Sequence, residues 1–252
     1  MEILKVQNVS KVYGSKKSTK LYMALRSISF EVNEGEFIGV MGASGSGKTT
    51  LLNILGSIDK PTTGRFFMND RDITTFSKKQ LARHRMDNIG FIFQDYNLLE
   101  TMTLKENIIL PLALVGHKAN IIEEKLRKIV NDLGITEVLE KYPYEVSGGE
   151  QQRAAACRAL IANPKIILAD EPTGNLDSKS GKDLLELLTY INRDYRATIL
   201  MVTHDVFAAS YCQKIMFIRD GEIYNELYAG ENKREFFDSI IDVMSVLKGE
   251  RK

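Results

Sequence analysis

Apolar and polar residues alternate along residues 3–37, as at Ile28, Phe30 and Val32, and this period of two predicts antiparallel strands. The polar stretch Lys16-Lys17-Ser18-Thr19-Lys20 breaks the alternation and reads as a hairpin loop. An unbroken apolar run follows, Phe37-Ile38-Gly39-Val40-Met41, which reads as a buried parallel strand feeding a glycine-rich loop and a helix over 48–55. Ser77 and Gln80 match a capping box ahead of a helix at 81–86, and residues 89–93 read as a second buried strand. Thr103 and Glu106 match another capping box, after which the chain reads as mainly helical to about residue 162. Pro111 is expected to kink or end the first of these helices. Ile122, Leu126, Ile129 and Leu133 give residues 121–133 an amphipathic face. Strand signals return at 166–169 and 198–202, separated by a helix with Leu184, Leu185, Leu187, Leu188 and Ile191 on its apolar face. Asp220-Gly221 marks a hairpin turn. In the tail, Phe237, Ile241, Met244 and Leu247 fall at helical spacing over 234–248, a stripe expected to pack on the chain's own body. Strands, a helical block, then alternating strand and helix describe an α/β core interrupted by a helical subdomain.

Composition narrows the class. The 252 residues suffice for one large domain or a core with a subdomain, and 44% hydrophobic with 27% charged residues is ordinary for a globular protein. A net charge of +1 without a dense Lys/Arg tract argues against direct nucleic-acid binding. The longest apolar stretches, such as 108–115, fall well short of the roughly 20 residues that span a bilayer. The opening Met1-Glu2-Ile3-Leu4-Lys5 does not read as a signal peptide, so a membrane role is expected to come through a partner chain. Cys157 and Cys212 lack metal or redox spacing and read as buried or neutral thiols. His84 and His117 have no chemical context and read as surface residues.

Two stretches carry chemistry. Gly42-Ala43-Ser44-Gly45-Ser46-Gly47-Lys48-Thr49 fits G-x-x-x-x-G-K-[ST], whose backbone amides wrap nucleotide phosphates. Gly42, Ser44, Gly45, Ser46, Gly47, Lys48, Thr49 and Thr50 are the expected nucleotide contacts. Lys48 should reach the β and γ phosphates, and the Thr49 hydroxyl should bind Mg²⁺. Ser147-Gly148-Gly149-Glu150-Gln151 is a glycine-rich turn opening into a helix, a second anion site. One mononucleotide does not need two cradles, but two chains facing head to tail would use both. The apolar run Ile166-Ile167-Leu168-Ala169 delivers Asp170 at the carboxyl end of a strand, where it would hold Mg²⁺ through water. The adjacent Glu171 is placed to orient or deprotonate an attacking water.

With these motifs in this order, the chain resembles the nucleotide-binding subunit of an ABC transporter over roughly residues 2–225. The resemblance implies a P-loop NTPase (RecA-like) core with an antiparallel β subdomain over 1–96 and 163–230, a helical subdomain over 97–162 and a C-terminal helix over 231–252. It implies a substrate, ATP, with Mg²⁺. It implies Tyr13 as the aromatic that stacks on adenine, with Tyr22 a nearby competitor. Gln94 matches the glutamine that touches Mg²⁺ and reports to the membrane partner. Residues 147–151, namely Ser147, Gly148, Gly149, Glu150 and Gln151, match the signature loop. Asp177 matches the loop that signals across the dimer, and His204 the histidine that contacts the γ phosphate. The signature departs from the common family form at Val146, for Leu, and at Glu150, for Gln; the second change adds a carboxylate beside a phosphate site. Tyr96, Leu98 and Leu99 are expected at the permease-docking surface.

Gly90-Phe91-Ile92-Phe93-Gln94-Asp95-Tyr96-Asn97-Leu98-Leu99, Glu106-Asn107-Ile108 and Leu110-Pro111-Leu112 are similar to the group serving lipoprotein release, macrolide export and peptide-antibiotic resistance. Met41-Gly42-Ala43-Ser44, Ala208-Ala209-Ser210-Tyr211-Cys212 and Phe236-Phe237 resemble the bacitracin-type subfamily. That resemblance implies a homodimer of cassettes serving an integral membrane permease at the cytoplasmic face of the membrane, with a sensor kinase reached through the permease. A lipoprotein-release or macrolide-export complex, a ribosome- or DNA-directed ATPase and a regulatory coupler remain open at this point.

Overall fold

The computed structural model describes residues 1–14 and 21–249, so the hairpin loop read at 16–20 lies outside the described residues. In chain order the elements are β1 (Glu2–Tyr13), β2 (Tyr22–Asn33), β3 (Phe37–Met41), α1 (Lys48–Leu55), β4 (Thr63–Met68), β5 (Arg71–Asp72), α2 (Lys78–Asn88), β6 (Ile89–Phe93) and α3 (Leu104–Leu114). They continue as α4 (Ala119–Asp132), α5 (Gly148–Leu160), β7 (Ile166–Asp170), α6 (Ser178–Asp194), β8 (Thr198–Val202), α7 (Val206–Ala209), β9 (Lys214–Arg219), β10 (Glu222–Tyr228) and α8 (Lys233–Gly249). The chain divides into two compact units, Met1–Ala82 with Thr198–Lys252, and Arg83–Ala197. The second unit is larger than the helical subdomain expected at 97–162, since it also holds β6, β7 and α6.

In the first unit, β2, β1, β4 and β5 form an antiparallel sheet in that order. Strand β3 lies between β8 and β9, parallel to both, and every residue of β3 and β8 is buried, which explains their unbroken apolar sequences. The β9–β10 hairpin turns at Asp220 and Gly221, both in the left-handed region at φ 49° and 83°, as a two-residue hairpin turn requires.

Helix α8 packs against α7 and β10. Its buried residues are Phe236, Ile240, Met244 and Leu247, while Ile241 is 40% exposed. The stripe read at Phe237 and Ile241 is therefore corrected by one residue in its first half. Adjacent apolar pairs at 236–237 and 240–241 leave the helical phase ambiguous, and packing on α7 and β10 selects the first member of each pair.

In the second unit, β6 and β7 pair in parallel, and α5 packs on β6, α3, α4 and α6. The approach of α5 to β6 is close: a Cβ on Gly90 would stand 2.5 Å from the Ala159 carbonyl oxygen. Ala154, Ala155, Ala156 and Cys157 are all buried, so α5 is enclosed on every side along this turn, which small residues permit. Burial pushes the Cys157 and Cys212 thiols far up, so both are neutral, as read. Thr103 and Glu106 form the expected capping box on α3, but that helix runs past Pro111 to Leu114 instead of ending there. A proline near the C-terminal end removes one intrahelical hydrogen bond and leaves only one further turn to lose. His84 is also corrected. It is 7% exposed, and burial lowers its pKa, because it follows Leu81 by three residues and shares its helix face. His117 is exposed as expected.

Candidate nucleotide site

The first unit holds the phosphate loop between β3 and α1. Gly47, at φ 108°, caps α1 without any side-chain hydrogen bond, so the helix starts with backbone amides. No residue with a Cβ fits there: the atom would stand 2.5 Å from the Ala24 carbonyl oxygen. Gly42 is as tightly enclosed, a Cβ lying 2.2 Å from the Ile218 carbonyl oxygen. The β9–β10 turn backs the loop, with the Gly221 amide donating to the Ser46 carbonyl at 3.1 Å. Lys48 is buried and its ammonium donates to the carbonyls of Gly42 and Ala43 at 2.9 and 3.0 Å. Ser44, Gly45 and Thr49 are exposed. Among the described residues the buried Ser46 hydroxyl has no hydrogen-bond partner. A helix start without a cap, a buried ammonium and an orphaned hydroxyl together fit a phosphate group.

His204 stands exposed just beyond β8, whose Val202 pairs in register with Val40 of β3. The phosphate loop and His204 thus leave the sheet at the same edge. Thr203 and Asp205 shape the turn, the Asp205 amide donating to the Thr203 hydroxyl at 3.0 Å.

Tyr13 and Tyr22 are direct partners across β1 and β2, so their side chains share a face. The Tyr13 hydroxyl donates to Asp59 at 3.0 Å and is hydrogen-bonded with Thr50 of α1. The Tyr22 hydroxyl donates to the Gly45 carbonyl at 3.0 Å. Tyr22 therefore borders the loop and Tyr13 the first turn of α1, and the contacts of Tyr22 were not foreseen.

The second unit holds the acidic pair. Register pairing of Phe93 with Asp170 brings Gln94 and Asp170–Glu171 to one edge of β6–β7. Glu171 has φ 47°, a strained backbone for a residue with a side chain, and such strain concentrates at functional sites. The Gln94 amide donates to the Asn175 side chain at 3.0 Å, and Asn175 donates in turn to Asp95 at 2.7 Å. Gly174 makes room for this, since a Cβ there would be 2.9 Å from Gln94 Cδ.

Ser147 caps α5, and with Glu150 it forms a full capping box. The Glu150 carboxylate accepts from the Ser147 amide at 2.8 Å and from its hydroxyl at 2.7 Å. These bonds hold its carboxyl below the usual range, against the opposing effect of burial and with help from Lys141. The unusual carboxylate of this signature is thus tied into the helix cap. The S-x-x-E spacing is the same signal that identified the cap of α3. Gly148 faces the Tyr96 hydroxyl, which a Cβ would approach to 2.7 Å, and a Cβ on Gly149 would lie 3.5 Å from the Ser180 hydroxyl. Asp177 caps α6, accepting from the amides of Lys179 and Ser180 and from the Ser180 hydroxyl. Tyr96 is therefore committed in part to the signature turn, while Leu98 is half-buried and Leu99 is 44% exposed. Arg158 of α5, not foreseen, donates to the Tyr96 carbonyl at 2.8 Å and to that of Asn97.

A phosphate loop, a strand-end acidic pair and a capped glycine turn define a P-loop ATPase cassette. Residues 25–174 match the family described as ABC transporter, and the chain belongs to that family as an ATP-hydrolysing subunit. It is 50% identical over 250 residues to the bacitracin export ATP-binding protein BceA of Halalkalibacterium halodurans, covering 99% of this chain and 98% of that one. It is also 50% identical over 250 residues to the uncharacterized ABC transporter ATP-binding protein YvcR of Bacillus subtilis, covering 99% and 96%. Among solved structures it is similar to the ATP-binding cassette MJ0796 of Methanocaldococcus jannaschii, a dimer in a post-hydrolysis state bound to ADP and Pi. The TM-score is 0.82 at 36% identity, covering 90% of this chain and 100% of that one. No helix among the described residues is long and apolar enough to cross a membrane.

Proposed function

We propose that the chain powers a permease of the peptide-antibiotic resistance class, working as a head-to-tail homodimer at the cytoplasmic face of the membrane. Its likeness to BceA over nearly the full length of both chains carries this reading. The dimeric form of the similar cassette MJ0796 supports the homodimer. Lys48 and the loop amides take the β and γ phosphates of ATP, and Tyr13 takes the adenine. Thr49, Asp170 and Gln94 offer hard oxygen donors that suit Mg²⁺. Among the described residues no cluster of three or more His, Cys, Asp or Glu forms a metal site by itself, so the ion would share the phosphate oxygens. Mg²⁺ supplies charge neutralisation there. Glu171 orients or deprotonates the attacking water, and His204 contacts the γ phosphate. Ser147, Gly148 and Gly149 of one copy, with Glu150 as their cap, grip the phosphates held by the other, and Asp177 signals between copies. Gln94 reports to the permease, which Leu99 contacts. The sensor-kinase link is no part of this reading.

Purification of the tagged chain from membranes tests it. An integral permease should accompany the chain, and its loss should lower resistance to bacitracin-like peptides. Unchanged resistance, or a partner of lipoprotein-release type, would overturn the assignment.

A further inference from the structure

The geometry points to Lys11 and Asp59 as positioning residues that hold Tyr13 as a one-faced platform for the nucleobase. Lys11 and Tyr13 are two apart on β1 and so share a face. The Lys11 ammonium lies 4.9 Å from the centre of the Tyr13 ring and occupies one of its faces. The same ammonium donates to Asp59 Oδ1 at 2.6 Å and to the Lys60 carbonyl at 2.7 Å. Asp59 Oδ2 accepts from the Tyr13 hydroxyl, so one carboxylate fixes both the cation and the ring. Tyr13 nonetheless remains 38% exposed, which leaves a face for a base.

The placement of Asp59 gives the arrangement its meaning. Asp59 follows the C-terminal end of α1, with its amide bonded to the Asn53 carbonyl at 3.1 Å, while the N-terminal end of α1 is the phosphate loop. Thr50, in the first turn of α1, is the other polar neighbour of the Tyr13 hydroxyl. Tyr22, opposite Tyr13, binds the Gly45 carbonyl of the loop. The ring is thereby referenced to α1 at two points and its strand partner to the loop itself. Burial pushes the Asp59 carboxyl up, but hydrogen bonds from Lys11, the Lys60 amide and Tyr13 outweigh it, so the group stays charged.

This inference rests on the proposed reading of Tyr13 as the adenine platform. The test is calorimetric titration of the full chain with ADP and, separately, with inorganic tripolyphosphate, which has no base. Lys11→Met and Asp59→Ala should each weaken ADP binding about 3- to 10-fold, the range of one lost ordinary hydrogen bond, since both act on the base only through the ring, and leave tripolyphosphate unchanged. Unchanged ADP affinity, or equal weakening of both ligands, overturns the inference. If Asp59→Ala fails to fold, Lys11→Met decides by the same criteria. Tyr13→Ala separates the two claims. Should it leave ADP binding intact, the platform reading itself falls; should it weaken ADP while Lys11→Met and Asp59→Ala do not, only the positioning role falls.

Discussion

The phase of α8 predicts opposite outcomes for two adjacent isoleucines. Ile240 is fully buried and Ile241 is 40% exposed. Ile240→Ala removes three buried carbons and leaves a cavity against α7 and β10, which costs about 2–5 kcal/mol. Ile241→Ala loses little burial and gains helix propensity, so its net effect is about 0.5 kcal/mol or less in either direction. For a chain of this size a kcal/mol moves Tm by about 2–4 °C, so Ile240→Ala should melt roughly 5–15 °C lower while Ile241→Ala stays close to the parent. Thermal melts followed by circular dichroism, with urea titration as a second probe, measure both. If Ile241→Ala is the more damaging variant, the stripe runs through 237 and 241 after all. If neither matters, α8 contributes nothing to the stability of its unit.

Further outcomes follow from the second unit. Glu150 has a lowered carboxyl pKa, so its cap contributes fully above the ordinary value of 4.5 and is lost as pH falls below it. Glu150→Gln keeps the acceptor but not the titration, so the stability gap to the parent should shrink between neutral pH and about pH 3.5 in urea titrations; a constant gap would refute the cap's charge dependence. Gly174→Ala places a methyl group against the Gln94 amide, a movable side chain, so it should leave Tm nearly unchanged while lowering ATP turnover. Parental turnover in that variant would show that the Gln94–Asn175 contact is dispensable.

Much of this was legible from local sequence because the signals are local. The bounds of β3, β6 and β8 follow from unbroken apolar runs, and the Asp220-Gly221 turn from its two left-handed residues. The phosphate loop is contiguous, so its motif exposes it directly. The supporting residues are not contiguous. Lys11 meets Asp59 across 48 residues and Gln94 meets Asn175 across 81, and no local pattern encodes such contacts. The phase of α8 was ambiguous because apolar residues come in adjacent pairs. Strands β4 and β5 gave no reading, β5 being only two residues long. The Ser147–Glu150 cap was legible by the spacing that revealed Thr103–Glu106, yet its glycines drew the reading toward anion binding alone.

We propose a cassette whose hydrolysis needs Glu171 and whose ATP-bound state is a dimer. The most direct measurement is light scattering of Glu171→Gln with Mg²⁺-ATP, alongside its turnover. A species of twice the chain mass should form only with ATP, with turnover reduced by a factor of about 10²–10⁴. A variant that stays monomeric with bound ATP, or that hydrolyses it at the parental rate, would rule out an ATP-clamped dimer with Glu171 as the water-activating group.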